Sequence, residues 1–176
     1  LNKVISTIDG VQFNTFRFGL NIDNIFWIGT FNNGLIRYSN ADNISFVSPK
    51  GPLRNSIFDI ETLPNELWIA HGDYNQIYNP FPLEKYGLSH HVDQEWDNIS
   101  SADVFNAESL VRIVAHPTEI GTLYACSFHG GILALEDNVP IALWNQTNSG
   151  LESLTFDGDN ISVRVRDALV DDSGNL

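Results

Sequence analysis

With 176 residues and 43% apolar content the chain is long enough to bury a full core, which excludes a disordered reading. Acidic residues outnumber basic ones by 22 to 9, and the resulting formal charge of −13 repels phosphate backbones and anionic lipid surfaces, so nucleic acid is not an expected partner. No apolar run approaches the ~20 residues of a membrane helix, and the single cysteine, Cys126, excludes an internal disulfide and reads as a small packed side chain.

The chain begins at Leu1 without an initiator Met, a basic segment or an apolar signal region, which reads as a processed chain or a piece of something longer. Short apolar segments then follow one another, cut by Gly, Asn, Asp and Pro, the texture of short strands and tight turns. A first segment at 15–18 leads through 19–24 into Phe26-Trp27-Ile28-Gly29-Thr30, then Gly34-Leu35-Ile36-Arg37-Tyr38, then an apolar stretch at 44–47. The series restarts at 56–61. Its aromatic segment is Leu67-Trp68-Ile69-Ala70-His71, its third segment Gly87-Leu88-Ser89-His90-His91, its fourth 95–99. A third series opens at 110–115 and continues with Leu123-Tyr124-Ala125-Cys126-Ser127, Gly131-Ile132-Leu133-Ala134-Leu135 and 141–145. A further apolar segment at 163–170 runs into Asp171-Asp172-Ser173-Gly174-Asn175-Leu176, whose residues suit a hairpin turn.

Trp27 and Trp68 are 41 residues apart, Trp68 and Tyr124 are 56 apart, and the excess matches an insertion of about twelve residues between the second and third strands of the middle unit. Four antiparallel strands in a repeat of about 40 to 45 residues is the pattern of a propeller blade. The expectation is therefore an all-β β-propeller fragment of about three four-stranded blades plus the start of a fourth, with blades at about 15–47, 56–99 and 110–145 and the next from about 163. A β-sandwich also uses short strands, but it does not predict a motif recurring in register. Propellers close with about four to eight blades, so remaining blades or a second copy are expected to complete this one.

At these residues the chain resembles the two-component-regulator propeller repeat: Trp27-Ile28-Gly29-Thr30 with Asn33-Gly34-Leu35-Ile36-Arg37-Tyr38 matches its aromatic and Gly-Leu strands, and Asp172-Ser173-Gly174-Asn175-Leu176 its turn. With Tyr86-Gly87-Leu88-Ser89, Trp96-Asp97-Asn98 and Asn148-Ser149-Gly150-Leu151-Glu152-Ser153, it is most similar to the N-terminal propeller of PorZ-like proteins of the type IX secretion machinery of Bacteroidota. The resemblance implies a secreted protein of the periplasm or bacterial cell surface and a non-enzymatic scaffold that presents anionic lipopolysaccharide to the attachment machinery. The same repeat builds the glycan-binding sensor propellers of hybrid two-component receptors, which is the alternative function. At −13 this chain would repel an anionic glycolipid unless another domain, bridging cations or a local basic patch such as Lys50 and Arg54 helped.

Candidate chemistry is sparse. Trp27, Trp68 and Tyr124 read as rings packed between blades. His90 and His91 lie near Asp93 and Glu95, but adjacent strand residues point to opposite faces and a turn is expected at 92–94, so a solvated turn is preferred to a metal site. Asp157 and Asp159 are candidate calcium ligands by their close spacing, against a polar turn before 163. Four sequons, at Asn43, Asn98, Asn145 and Asn160, are little more than the abundance of Asn, Ser and Thr supplies. With no Gly-x-Ser-x-Gly elbow, phosphate-binding loop or zinc-spaced His and Cys pair, neither an enzyme nor a cofactor is expected; a lyase or glycosidase assembled across blades is the remaining catalytic reading.

Loop lengths point to a working surface. In an up-and-down blade the first-to-second and third-to-fourth turns share one face, and the remaining connections share the other. The short loops fall in the first set. The long ones, 48–55, 71–86, 98–109 and 146–162, fall in the second. The insertion carries Tyr74, Tyr78, Phe81 and Tyr86 among prolines, and these four are the candidate contacts for a protein or glycan partner, unless they fold back onto the neighbouring blade.

Overall fold

The computed structural model describes residues 7–8, 11–12, 15–31, 34–40, 43–47 and 50–176, which form two compact units, Leu1–Lys50 and Gly51–Leu176. The repeat residue Asn33, the turn residues 41–42 and the loop positions 48–49 lie outside the described residues. Among the described residues there is no α-helix, and none is long and apolar enough to cross a membrane.

In the first unit a short hairpin, β1 (Thr7–Ile8) and β2 (Val11–Gln12), precedes a four-stranded antiparallel meander: β3 (Phe16–Ile22), β4 (Ile25–Thr30), β5 (Leu35–Asn40) and β6 (Asn43–Val47). The expected connection at 19–24 shrinks to Asp23 and Asn24, because β3 runs on to Ile22. Both turn residues are left-handed, with φ of 50° and 62°, the conformation a two-residue type I′ hairpin requires and Asp and Asn tolerate. One sheet face gathers Ile36 and Tyr38 over Phe16, Ile28 and Ile44. The alternate residues Phe18, Leu20 and Ile22 remain exposed on the other.

The second unit holds two more meanders. The first is β7 (Asp59–Leu63), β8 (Glu66–Ala70), β9 (Leu88–Val92) and β10 (Glu95–Ile99). The second is β11 (Leu110–Ala115), β12 (Leu123–Ser127), β13 (Gly131–Glu136) and β14 (Val139–Trp144). The turn chemistry repeats: Asp93-Gln94 and Asp137-Asn138 are left-handed pairs, and Pro64-Asn65 joins a residue of fixed φ to one at 63°. β7 begins three residues later than the segment expected at 56–61 and extends to Leu63, since its partner β8 continues pairing as far as Glu66. In each four-stranded sheet the aromatic strand, β4, β8 or β12, is the second.

Two devices recur at equivalent places. Gly34, Gly87 and Gly131, each at the entry to a third strand, have φ of 68°, 75° and 106°. A Cβ there would be strained, and at Gly87 and Gly131 it would also overlap the carbonyl oxygens of Ile99 and Trp144 on the outermost strand. The residue closing or following the aromatic strand ties down a connection. His71 Nδ1 donates to the Ser56 carbonyl at 2.7 Å, which can only accept, and Nε2 lies 2.9 Å from the Ser89 hydroxyl, whose oxygen accepts from the Leu53 N–H. Ser127 donates to the Glu108 carbonyl and accepts from the amides of His129 and Gly130.

Blades two and three share one core. Trp68, Ala70 and Leu88 from the second pack against Ile113, Leu123, Ala125, Leu133 and Leu135 from the third. Trp68 is fully buried, stacked 4.0 Å from His90, so the ring fills the space between blades as its position implies. His91 lies on the opposite face, against Trp96. The innermost strands β7 and β11 are stapled by Asp59, whose carboxylate accepts the Ile113 N–H at 2.8 Å and pairs with Arg112 at 3.4 Å. Burial pushes the neighbouring Glu61 carboxyl up, against the pull of Arg112.

Beyond blade three the expectations need correction. The segment 146–162, expected as a loop, contains the hairpin β15 (Leu154–Phe156) and β16 (Asp159–Ser162), in register through Thr155 and Asn160. The expected strand at 163–170 makes one parallel bridge, Val163 to Gly130, plus a hydrogen bond from the Val165 N–H to the Ser127 carbonyl, and among the described residues no strand pairs with it in a ladder. Three four-stranded meanders, each with its aromatic strand second and two of them packed face to face, make the chain an all-β propeller fragment.

Candidate functional site

The long connections of the second unit meet. Ser109 N–H donates to the Glu84 carbonyl, joining the link 100–109 to the insertion, and Phe128 N–H donates to the Ser109 carbonyl, joining both to the β12–β13 connection. The insertion is ordered by its asparagines. Asn75 Oδ1 accepts the amides of Ile77 and Asn79, and Asn79 Oδ1 accepts that of Phe81, local bonds that fix turns where no ladder exists.

This scaffold divides the four candidate rings. Tyr74 turns inward, with its centroid 4.8 Å from Phe58 and 4.6 Å from Phe128, and covers the neighbouring blade. Tyr78, 5.6 Å from Tyr74, is 49% exposed, and Phe81, set edge-on to His129 at 5.9 Å, is 59% exposed. No ring contact joins Tyr86 to these three; the Arg54 guanidinium stacks on it at 3.6 Å and a hydrogen bond with Glu84 raises its hydroxyl above the usual range.

The structure adds residues that the sequence reading passed over. Arg166 lies 5.2 Å over the Tyr78 ring and donates to its hydroxyl at 3.3 Å. Arg164 lies 5.5 Å from the Phe128 ring and donates through Nε to Ser162 Oγ. His129 completes the group. Burial holds its imidazole below the usual range, while Glu108, 3.9 Å away and also paired with Lys85, pulls the other way. Beside it a cavity of about 240 Å³ is lined by polar groups including His129, Asn145, Asn160 and Ser162. The available signal was the alternation Val163-Arg164-Val165-Arg166, with valines inward and arginines outward.

The other candidates lie elsewhere. Asp157 and Gly158, with φ of 51° and 87°, form the turn of the β15–β16 hairpin, and Asp159 opens β16. Among the described residues no three His, Cys, Asp or Glu side chains are grouped to hold a metal ion. Lys50 and Arg54 belong to the two different units. A second cavity, of about 270 Å³, opens at the short-turn end between Leu63, Pro64 and the loop 116–122, where Ile120 is 95% exposed.

No protein-family model matches the chain, and no curated protein matches its sequence. Among solved structures it is similar to PorZ, described as an essential bacterial surface component of the type IX secretion system of the human oral bacterium Porphyromonas gingivalis. The likeness has a TM-score of 0.64 at 14% identity and covers 86% of this chain and 21% of PorZ, so the chain spans about a fifth of that protein's length. At that identity it speaks for the fold.

Proposed function

We propose that the chain is a non-catalytic propeller module of a secreted or cell-surface protein, with a PorZ-like part in type IX secretion and surface attachment. The observation that carries this reading is the likeness to PorZ, a bacterial surface component, over 86% of the chain. The long-loop face supports it: the two blades of the second unit share one core and hold exposed rings on connections that no strand pairing requires. A protein or glycan partner binds there. The polar cluster on the inner strands, Asp59 with Arg112, serves as a staple, because Asp59 spends one oxygen on a backbone amide and the other on the guanidinium.

The test is genetic and topological. In the bacterium that makes the protein, an epitope in the exposed loop near Ile120 should be reached by antibody on intact cells, and deletion of the gene should release surface-attached secreted proteins into the medium. An epitope seen only after lysis, or unchanged attachment in the deletion strain, would sink the proposal.

A further inference from the structure

We propose that Arg164 and Arg166, with the exposed rings of Tyr78 and Phe81, dock a short acidic peptide segment in extended conformation, its carboxylates at alternate positions. This rests on the long-loop face being the binding surface and names the chemistry that face selects.

The first argument is charge. With 22 acidic residues against nine basic ones, an exposed guanidinium that no carboxylate of the chain occupies is a place where an acidic ligand can bind. Arg112 has two, Asp59 and Asp167, and Lys85 has Glu108. Arg164 and Arg166 have no carboxylate within ion-pairing distance among the described residues; Asp167, next in sequence, pairs with Arg112 and acts on Arg166 only through its longer-range charge. Both guanidinium groups are exposed and lie against rings, so their planes are set before a ligand arrives and little rotamer freedom is lost on binding.

The second argument is spacing. Alternating burial along 163–166 puts the two arginines on one side, and residues two apart in an extended chain are separated by about 6.5 Å. Alternate carboxylates of an extended peptide repeat at the same interval, so each can meet one guanidinium in a two-pronged hydrogen bond. Ile77, Tyr78 and Phe81, exposed by 79%, 49% and 59%, supply apolar contact for the intervening side chains.

The arrangement favours peptide over sugar. The rings of Tyr74 and Tyr78 already face other groups, Phe58 and Phe128 in one case and Arg166 in the other, which removes the flat open platform that a pyranose stacks on. Long polyanions feel the charge of the whole chain. A segment with two or three carboxylates feels only the charges near it, the two arginines and Asp167, because charges beyond about 8–10 Å are screened at physiological salt.

Binding is read by fluorescence anisotropy on the full chain, with a labelled eight-residue peptide alternating aspartate with threonine and ending in tyrosine. The expected result is saturable binding that weakens as salt rises. Replacing aspartate with asparagine, or making Arg164→Gln with Arg166→Gln, should weaken it at least tenfold, whereas Arg54→Gln should leave it unchanged. Equal binding of the asparagine peptide, an unaffected double variant, or binding only of a uronic-acid oligosaccharide or of phosphatidylglycerol vesicles would each overturn the proposal. Should the double variant unfold, Arg166→Gln alone and Tyr78→Phe, which removes the hydroxyl that Arg166 donates to, carry the same expectation. Loss of peptide binding alongside a surface-exposed epitope defeats this inference alone; a buried epitope defeats the functional reading.

Discussion

Trp68 and Tyr124 hold the same place in consecutive repeats, on the second strand and in register with a residue of the first and third: Glu61 and His90 for Trp68, Val114 and Ala134 for Tyr124. One is fully buried and the other only half-buried. The sequence position is shared, so the difference comes from the neighbour. Trp68 points at blade three, whose Leu123, Leu133 and Leu135 close over it. Tyr124 points away and meets Trp144 at 5.7 Å, and on that side of its unit the segment beyond β16 leaves a cavity of about 520 Å³ between itself and Ile132, Trp144 and Leu151. A blade thus supplies half a core on each face, and each half gains its full stabilisation only when another blade covers it.

The largest test of that contrast is truncation at the two positions. Trp68→Ala should cost about 3–5 kcal/mol, the range for a buried large ring, and Tyr124→Ala about 1 kcal/mol, both read from urea unfolding followed by circular dichroism. Equal losses would mean that the faces are equivalent after all. Next come the glycines. Gly87→Ala and Gly131→Ala each force a side chain into a left-handed backbone, at ~1–2 kcal/mol before the overlap with the outermost strand is counted, while Gly150→Ala, which meets nothing within 4 Å, should be neutral in the same assay.

The smallest effect reads the open face directly. Cys126, beside Ser127 whose carbonyl accepts from the Val165 N–H, has no exposed surface, and burial pushes its thiol up to about 12. A folded value above the ordinary ~8.5 keeps the thiol protonated as pH rises through the range where a free cysteine ionises. Alkylation of the folded chain should therefore stay slow and nearly flat between pH 7 and 10, at about a hundredth or less of the unfolded rate. Val163→Asp, which puts a charge where the segment bridges to Gly130, should speed alkylation without abolishing the far-ultraviolet signal. Fast labelling of the unaltered chain would show that the segment does not cover this face.

What could be read in advance follows from the range of the forces involved. The aromatic strand, the glycine before the third strand and the Asp and Asn turns answer to local sterics and to a side-chain period of two, and these write themselves into consecutive residues. The hairpin at 154–162 escaped because Leu154, Thr155 and Phe156 form a strand of three residues, too short for alternation to stand out from a loop. Tyr74 and Tyr78 share a residue type and a loop, yet one is covered and the other is not. That choice was made by Phe58, Phe128 and Arg166, which are distant in sequence. The seat of the arginines was hidden for the same reason: Val163-Arg164-Val165-Arg166 announces an inside and an outside but not which rings wait outside.

One property of the meanders reaches past the finished structure. Each strand of a four-stranded sheet bonds only to the strand before or after it in the chain, so no strand waits for a partner made much later. Apart from the 71–87 connection between β8 and β9, the loops that must close within the meanders are short, the entropy lost in closing them is correspondingly small, and pairing can keep pace with a chain that emerges end first. A polypeptide delivered through a narrow pore in extended form would meet the same favourable order of events, rebuilding one sheet at a time and leaving the seam between Trp68 and its leucines until the following sheet arrives.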